Sequence, residues 1–513
     1  MKTKRIIALF LVMVFMIASL TACGSTPTTS QADPNKHLTV GLWYFGDGLD
    51  PTQSWNGWTL SRTAVGETLV KLDANSKIVG VLADRWENVD AATWKIHIRD
   101  GVTFQNGNPV TAEAVKSSLE RALKLCDRAT SLLPVKSITA SGQDLTITTT
   151  EPYGALLGNI ADPLFTIIDT SVELTNVNTA PVCTGPFKAV SYTLDKSIEV
   201  ESYDNYWGGA SPLGKVTYVL IRDGDTRTSA LQSGDVDVAQ AIDVSSLSLF
   251  ENNPDYTISK VPSTRTALIW LNFSNPILAD INVRKALAYS LNREELSGTL
   301  LGGIPATGPF SSSLPFGNDK LSAYDYNLDK AKQLMADSGL IDKNGDGYVE
   351  KNGKDVQLKL VIKKGTDNST EASYLQSVFA KIGLKVIIEM ADDNLAAMAD
   401  KNVAFDIGVG NINTGTTGDP QYFLELYFKR GASENYGHYS NTELDSLIGK
   451  LATEMDTQTR CNIAAQAQQM ILDDCPYLFM AYTNNNVVCK SNITGVEAYP
   501  IDFYLMNNTV DIK

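Results

Sequence analysis

The residues best suited to holding a small solute are aromatic, and they gather early in the chain. Trp43, Tyr44, Phe45, Trp55 and Trp58 crowd a Gly/Asp-rich stretch, with Arg62 close behind. Aromatic rings bury contact area at low entropic cost, and a guanidinium can fork onto a carboxylate. Such a stretch after a first strand suits a cleft wall, with Trp55 and Trp58 its first candidates and other rings going to the core. Two later segments add polar groups. Trp270 and Asn272 share one face of the alternating run IWLNFSN, where Asn272 serves either a solute or a hinge-strand hydrogen bond. Residues 410–422 (GNINTGTTGDPQY) follow an apolar strand over 405–409 and offer Asn411, Asn413, Thr416, Asp419 and Tyr422. Loops at the carboxyl ends of strands in open α/β sheets are common ligand sites.

Metal and catalytic chemistry find less support. Only three histidines exist: His37, His97, which alternation turns outward, and His438 in the loop NYGHYSN. A lone histidine is more often structural, so His438 is a candidate ligand contact against that background. Without clustered His/Cys donors, nickel would have to arrive with most of its donors supplied by a small chelator. Asp342, Asn344 and Asp346 fit the opening positions of a calcium loop. Gly353 stands at position twelve, where the bidentate Glu belongs, so a turn leading into a hairpin is the simpler expectation. The chain has no HExxH, no GxSxG and no GxxxxGK[ST], so neither an enzyme nor a nucleotide binder is expected. No cofactor is implied beyond a metal chelate carried as cargo.

The elements that must position these residues begin after an address. Lys2, Lys4 and Arg5 precede an apolar run over 6–17 that ends in Leu20-Thr21-Ala22-Cys23, the pattern of a bacterial lipobox. Residues 1–22 read as a signal peptide and Cys23 as the lipidated residue. Residues 23–36, small, polar and proline-containing, read as a tether outside the membrane, which the protein touches through its lipid alone. About 490 residues remain, too many for one core, so two or more lobes are expected. A hydrophobic content of 43% and a charged content of 20% are those of a globular protein, and a net charge of −15 argues against nucleic acid as a partner. Beyond Cys23, Cys126, Cys183, Cys461, Cys475 and Cys489 form an odd set without a CxxC, and pairing among the last three is open.

Strand and helix patterns alternate over the mature chain. Residues 37–43 and 93–99 alternate as strands, the latter with Trp94, Ile96 and Ile98 on one face. Thr111 starts a helix with Val115, Leu119, Ala122 and Leu123 on one stripe. A strand over 356–362, a helix over 369–381 and a strand over 386–388 predict a parallel crossover.

Residues 66–123 read GETLVKLDANSKIVGVLADRWENVDAATWKIHIRDGVTFQNGNPVTAEAVKSSLERAL. This block resembles the signature of the family 5 solute-binding proteins, which serve oligopeptide, dipeptide and nickel importers. Thr184-Gly185-Pro186-Phe187, with Cys183 in place of the usual glycine, resembles a further block, as do NYWGG at 205–209, ALQSGDVD at 230–237, VRKALAYS at 283–290 and PATGP at 305–309. The resemblance implies an α/β fold of two lobes, the type II periplasmic-binding-protein fold with an extra subdomain in lobe one and the ligand in the inter-lobe cleft. Lobe one then covers 37–268, with the subdomain near 87–180, lobe two covers 269–483, and 484–513 return to lobe one. It further implies a monomer that captures a peptide or peptide-like small molecule and hands it to ABC permease and ATPase subunits. Nickel-chelate or opine-type cargo, and a ligand-sensing receptor on the same fold, are the alternatives. In the family's peptide binders an acidic residue shortly before the D-P turn holds the peptide amino group. Here that position resembles Thr416, while Asp419 belongs to the turn.

Overall fold

The structure, a computed structural model, describes residues 32–318, 320–400 and 402–513. The signal segment 1–22, Cys23 and the first part of the tether lie outside them.

In the first part of the chain, Leu38, Val40 and Leu42 are fully buried along β1 (Asp33–Leu42). This strand starts earlier than the sequence suggests. The expected tether residues Asp33, Pro34, Asn35 and Lys36 belong to it, because Asp33 donates its N–H to Pro212 O at 3.1 Å and Lys36 pairs with Asp511 at 2.6 Å. Helix α1 (Asn56–Arg62) follows. A separate four-stranded sheet is built from β2 (Ala83–Asp90), β3 (Thr93–Ile98), β4 (Val135–Ser141) and β5 (Asp144–Thr149), in the order β2-β3-β5-β4. Helix α2 (Ala112–Leu125) covers it, capped by the Thr111 hydroxyl, which accepts the Ala114 N–H. Trp94, Ile96 and Ile98 do face this core together, and Val115, Leu119 and Ala122 meet them from α2.

The chain then returns through β6 (Phe187–Thr193), β7 (Ser197–Ser202), β8 (Leu213–Leu220) and β9 (Val238–Gln240) before the sixteen-residue strand β10 (Tyr256–Leu271). Beyond it come β11 (Gln357–Lys363), α3 (Thr366–Ala380), β12 (Lys385–Ala391) and β13 (Ile407–Asn413). As the pattern predicts, β11 and β12 pair in parallel across α3. Helices α4 (Pro420–Phe428) and α5 (Thr457–Asp474) lead to β14 (Tyr477–Lys490).

These strands form one sheet in the order β12-β11-β13-β10-β14-β9-β1-β8-β7-β6, with the short strand Gly303–Pro305 added to β14. Two strands, β10 and β14, carry it from one lobe to the other. The first half of β10 pairs with the second half of β14, which also pairs with β9; the second half of β10 pairs with β13. Between them the register shifts: Pro262 faces Asn484 and Thr266 faces Tyr482, so Ser263, Thr264 and Arg265 oppose Thr483 alone. Extra residues at a bulge bend a strand and re-aim its side chains. The architecture is the two-lobed α/β fold.

Candidate functional site

Trp58 and Arg62 lie one turn apart on α1, and Trp55 occupies its N-cap, so the three form one stripe. The helix lies close against the backbone of Pro163, where Gly57 leaves no room for a Cβ. The rings of Trp55 and Trp58 are 4.8 Å apart, and Trp58 lies 5.0 Å from Phe503 in the C-terminal segment.

Arg62 is fully buried and spends its donors inside the protein. It donates from Nε to Asp502 O at 3.2 Å, from one terminal nitrogen to Tyr44 O at 3.1 Å, and from the other to the Asp502 carboxylate at 3.3 Å. Arg265, re-aimed by the bulge in β10, reaches the same carboxylate. It donates to its two oxygens at 3.3 and 3.2 Å and to Asn411 O at 2.9 Å. Trp43, half-buried, lies near both guanidiniums, which are 5.9 and 5.7 Å from its ring centroid. Burial works to raise the Asp502 carboxyl, but Arg265 and Arg62 outweigh it and hold the group below the usual carboxylate range. Burial disfavours the Arg62 charge, which Asp502 supports. The cluster therefore holds two cations and one anion.

Beside it two N–H donors lack partners. The Asn413 side-chain oxygen accepts from the Thr264 hydroxyl at 2.8 Å and from the Gly415 N–H at 3.2 Å, which leaves its buried amide nitrogen unanswered. The Trp58 indole N–H is likewise buried and unpartnered.

A second cluster joins the lobes at the rim. Arg128 grips Asp162 at 2.8 and 3.0 Å, stacks 4.4 Å over Trp55 and reaches the Tyr422 hydroxyl at 3.5 Å. Asp419 caps α4 through the Gln421 N–H at 2.9 Å and forks onto Arg460 at 2.6 and 2.7 Å. Thr416, buried, donates its hydroxyl to Asn413 O at 3.1 Å. The lobes meet here: the Gly154 N–H donates to Ala452 O at 3.3 Å, and a Cβ on Gly158 would collide with the Thr417 carbonyl.

The structure thus brings Trp43, Tyr44, Trp55, Trp58, Arg62, Asn411, Asn413, Thr416, Asp419 and Tyr422 toward one inter-lobe region. It does not bring the rest. Trp270 is fully buried in the core of the second lobe, 5.7 Å from the Tyr436 ring and 6.1 Å from that of Tyr477. Asn272 donates to Phe405 O at 2.8 Å and accepts from the Ser274 N–H, a structural pairing past the end of β10. His438 is exposed in a left-handed turn (φ 56°), and its neighbour Gly437 packs against the Leu271 carbonyl. Leu271 lies six residues along β10 from Arg265, or about 20 Å. The Asp342 carboxylate accepts from the Gly345 and Gly347 N–H groups, and Asn344 and Asp346 accept from Asp346 and Tyr348, so the loop closes on its own backbone. Among the described residues no group of three His, Cys, Asp or Glu is arranged to hold a metal.

Sequence reasoning missed Arg265, Asp502, Phe503 and Arg128. Arg265 left a trace, as a charge entering the apolar run TALIWL. Asp502 left none, since it stands 440 positions from Arg62.

Comparison with known proteins bears on the family and the fold. The sequence model for "Bacterial extracellular solute-binding proteins, family 5 Middle" matches residues 77–435. The nickel-binding protein NikA of Staphylococcus aureus is 29% identical over 517 residues, covering 100% of both chains. The glutathione-binding protein GsiB of Pectobacterium atrosepticum is 27% identical and covers 90% of each. The crystal structure of the Staphylococcus aureus NikA in complex with Ni(L-His)2 superposes with a TM-score of 0.83 at 28% identity, covering 93% of this chain and 100% of that one.

Proposed function

Because the chain belongs to family 5 of the bacterial extracellular solute-binding proteins, we propose that it is the capture subunit of an ABC importer and that its cargo is a nickel chelate built on amino-acid carboxylates. One observation carries the choice of cargo. Each carboxylate these clusters bring to the region is already held by an arginine: Asp502 by Arg62 and Arg265, Asp162 by Arg128, Asp419 by Arg460. Within these clusters a peptide ammonium would find no acid free of an arginine, and Thr416, at the position that resembles the peptide binders' acidic residue, donates its hydroxyl to Asn413 O. The unpartnered side-chain oxygens nearby, of Gln240 and Asn56, are neutral acceptors, whereas the cluster's uncancelled charge is positive and is presented by Arg265, with the unpartnered N–H donors of Asn413 and Trp58 beside it. That set suits a carboxylate. The likeness to NikA over the whole chain supports the metal, whose donors would come from the chelator.

In this reading the lobes are divided at the bulge of β10 and at Thr483, where few residues absorb the hinge motion. Solute bridging both lobes shifts the population to the closed form, which the permease recognises. The protein performs no chemistry on its cargo. It works as a monomer outside the cytoplasmic membrane, anchored through a lipid on Cys23 and free of the signal segment 1–22.

Titration calorimetry on the mature chain tests the cargo. Nickel(II) with L-histidine should bind at least about a hundredfold more tightly than nickel or histidine alone, a gap of about 2.7 kcal/mol. Tight binding of a mixed tetrapeptide pool, with no heat from nickel–histidine, would overturn the nickel reading in favour of peptide capture.

A further inference from the structure

Three charges meet beside Trp43, and they do not cancel. Arg62 and Arg265 contribute two positive charges, Asp502 one negative. Asp502 cannot swing away to leave both cations free. Its own carbonyl is held by Arg62 Nε at 3.2 Å and by the Gln240 side chain at 2.8 Å, and it is almost fully buried. Arg62 cannot turn toward a solute either, since it has no exposed surface and each of its three nitrogens is engaged. Arg265 is the member that retains exposure, with 18% of its side chain accessible. We propose that Asp502 sets the charge of the cargo: by neutralising Arg62 it leaves one positive charge, presented by Arg265, for a single solute carboxylate to answer. The proposal rests on the carboxylate-bearing cargo proposed above.

A buried charge without a counter-charge is costly, and closure of the lobes removes the water that would screen it. A solute with no carboxylate here leaves Arg265 tied to Asp502 alone and gains nothing from it. A solute presenting two places the second beside the Asp502 anion. The donors of Asn413 and Trp58 add hydrogen bonds to the first carboxylate but no charge to balance a second. Asp502 is thus a positioning and selectivity residue that acts through the arginines.

The test uses three 1:1 nickel(II) chelates, of L-histidinamide, L-histidine and nitrilotriacetate, which carry none, one and three carboxylates per solute. Affinities are taken as ratios and compared with wild type, so that differences in nickel coordination cancel. Wild type should prefer the histidine chelate to both others. Asp502→Asn should shift the nitrilotriacetate-to-histidine ratio upward by about tenfold, the scale of one charge-assisted hydrogen bond. Arg62→Gln frees Asp502 to neutralise Arg265, so the histidine-to-histidinamide ratio should fall by about tenfold. A purely structural role would weaken all chelates alike in both variants. Equal weakening, or ratios that stay at wild-type values in a folded variant, overturns the proposal. Thermal melting shows which variant is folded, and either one decides the sign alone. If wild type binds none of the three chelates, the nickel reading falls and this inference with it.

Discussion

Trp43 and Trp270 share a side-chain type but not a place, and substitution should separate them. Trp43 is half-buried with two guanidiniums near its ring, an arrangement worth about 0.5–2 kcal/mol when water is excluded. Trp43→Ala should weaken cargo binding by roughly tenfold and leave the melting temperature nearly unchanged, as read by calorimetry and thermal unfolding. Trp270→Ala should instead cost about 3–5 kcal/mol of stability by opening the second lobe's core, read by denaturant unfolding. Asp502 adds a pH signature. Its folded value lies below the ordinary range, so its contribution is whole above about pH 4 and is lost as the pH falls through the folded value. Thermal unfolding between pH 7 and pH 3 should show a smaller acid-side drop in Asp502→Asn than in wild type. Equal drops would remove the ion cluster from the account. Residue type alone identified the early aromatic cluster but could not sort cleft from core. Trp270 sits in the kind of alternating run that also describes a fully buried strand, and only the packing of Tyr436 and Tyr477 against it decides the matter.

At the scale of elements, the proposed hinge and the proposed closing contact make separate demands. The bulge at Ser263–Arg265 supplies the bend, whereas Gly158 supplies the close approach of the lobes at the rim. Gly158→Val should hinder closure without disturbing either lobe's core. Cargo affinity should drop by at least about tenfold, and small-angle scattering should no longer show contraction on adding cargo. A variant that still contracts would place closure elsewhere. Periodicity located β3 and α2, which bury one face against a single core, and the β11–α3–β12 crossover, whose alternating Leu358, Leu360 and Ile362 face one core although Val361 is buried in another. It failed at the start of β1. Asp33, Pro34, Asn35 and Lys36 are polar and look like linker, and what holds them is pairing with residues near 212 and 511, outside any local window.

Across the whole molecule, the five described cysteines are all unpaired, including the three near the C-terminus whose pairing the sequence left open. A chain beginning after Cys23 should therefore titrate five thiols once denatured, and reductant should not move its melting temperature. The fold class was legible from ordered motifs spread along the chain. The ion cluster was not, because its members come from a helix near the start, a strand near the middle and a segment near the end, and no spacing rule links them.

The sheet that passes twice between the lobes through β10 and β14 also dictates an order of assembly. Strand β9 finds its antiparallel neighbour only in the second half of β14, and the buried Arg62 finds its counter-ion only at Asp502. A chain made amino end first has to hold its opening half unfinished while the entire second lobe follows it. Until residue 490 has arrived one edge of β9 is unanswered, and until residue 502 has arrived so is the guanidinium of Arg62. During that interval the nascent protein offers an open strand edge to any chaperone or protease within reach.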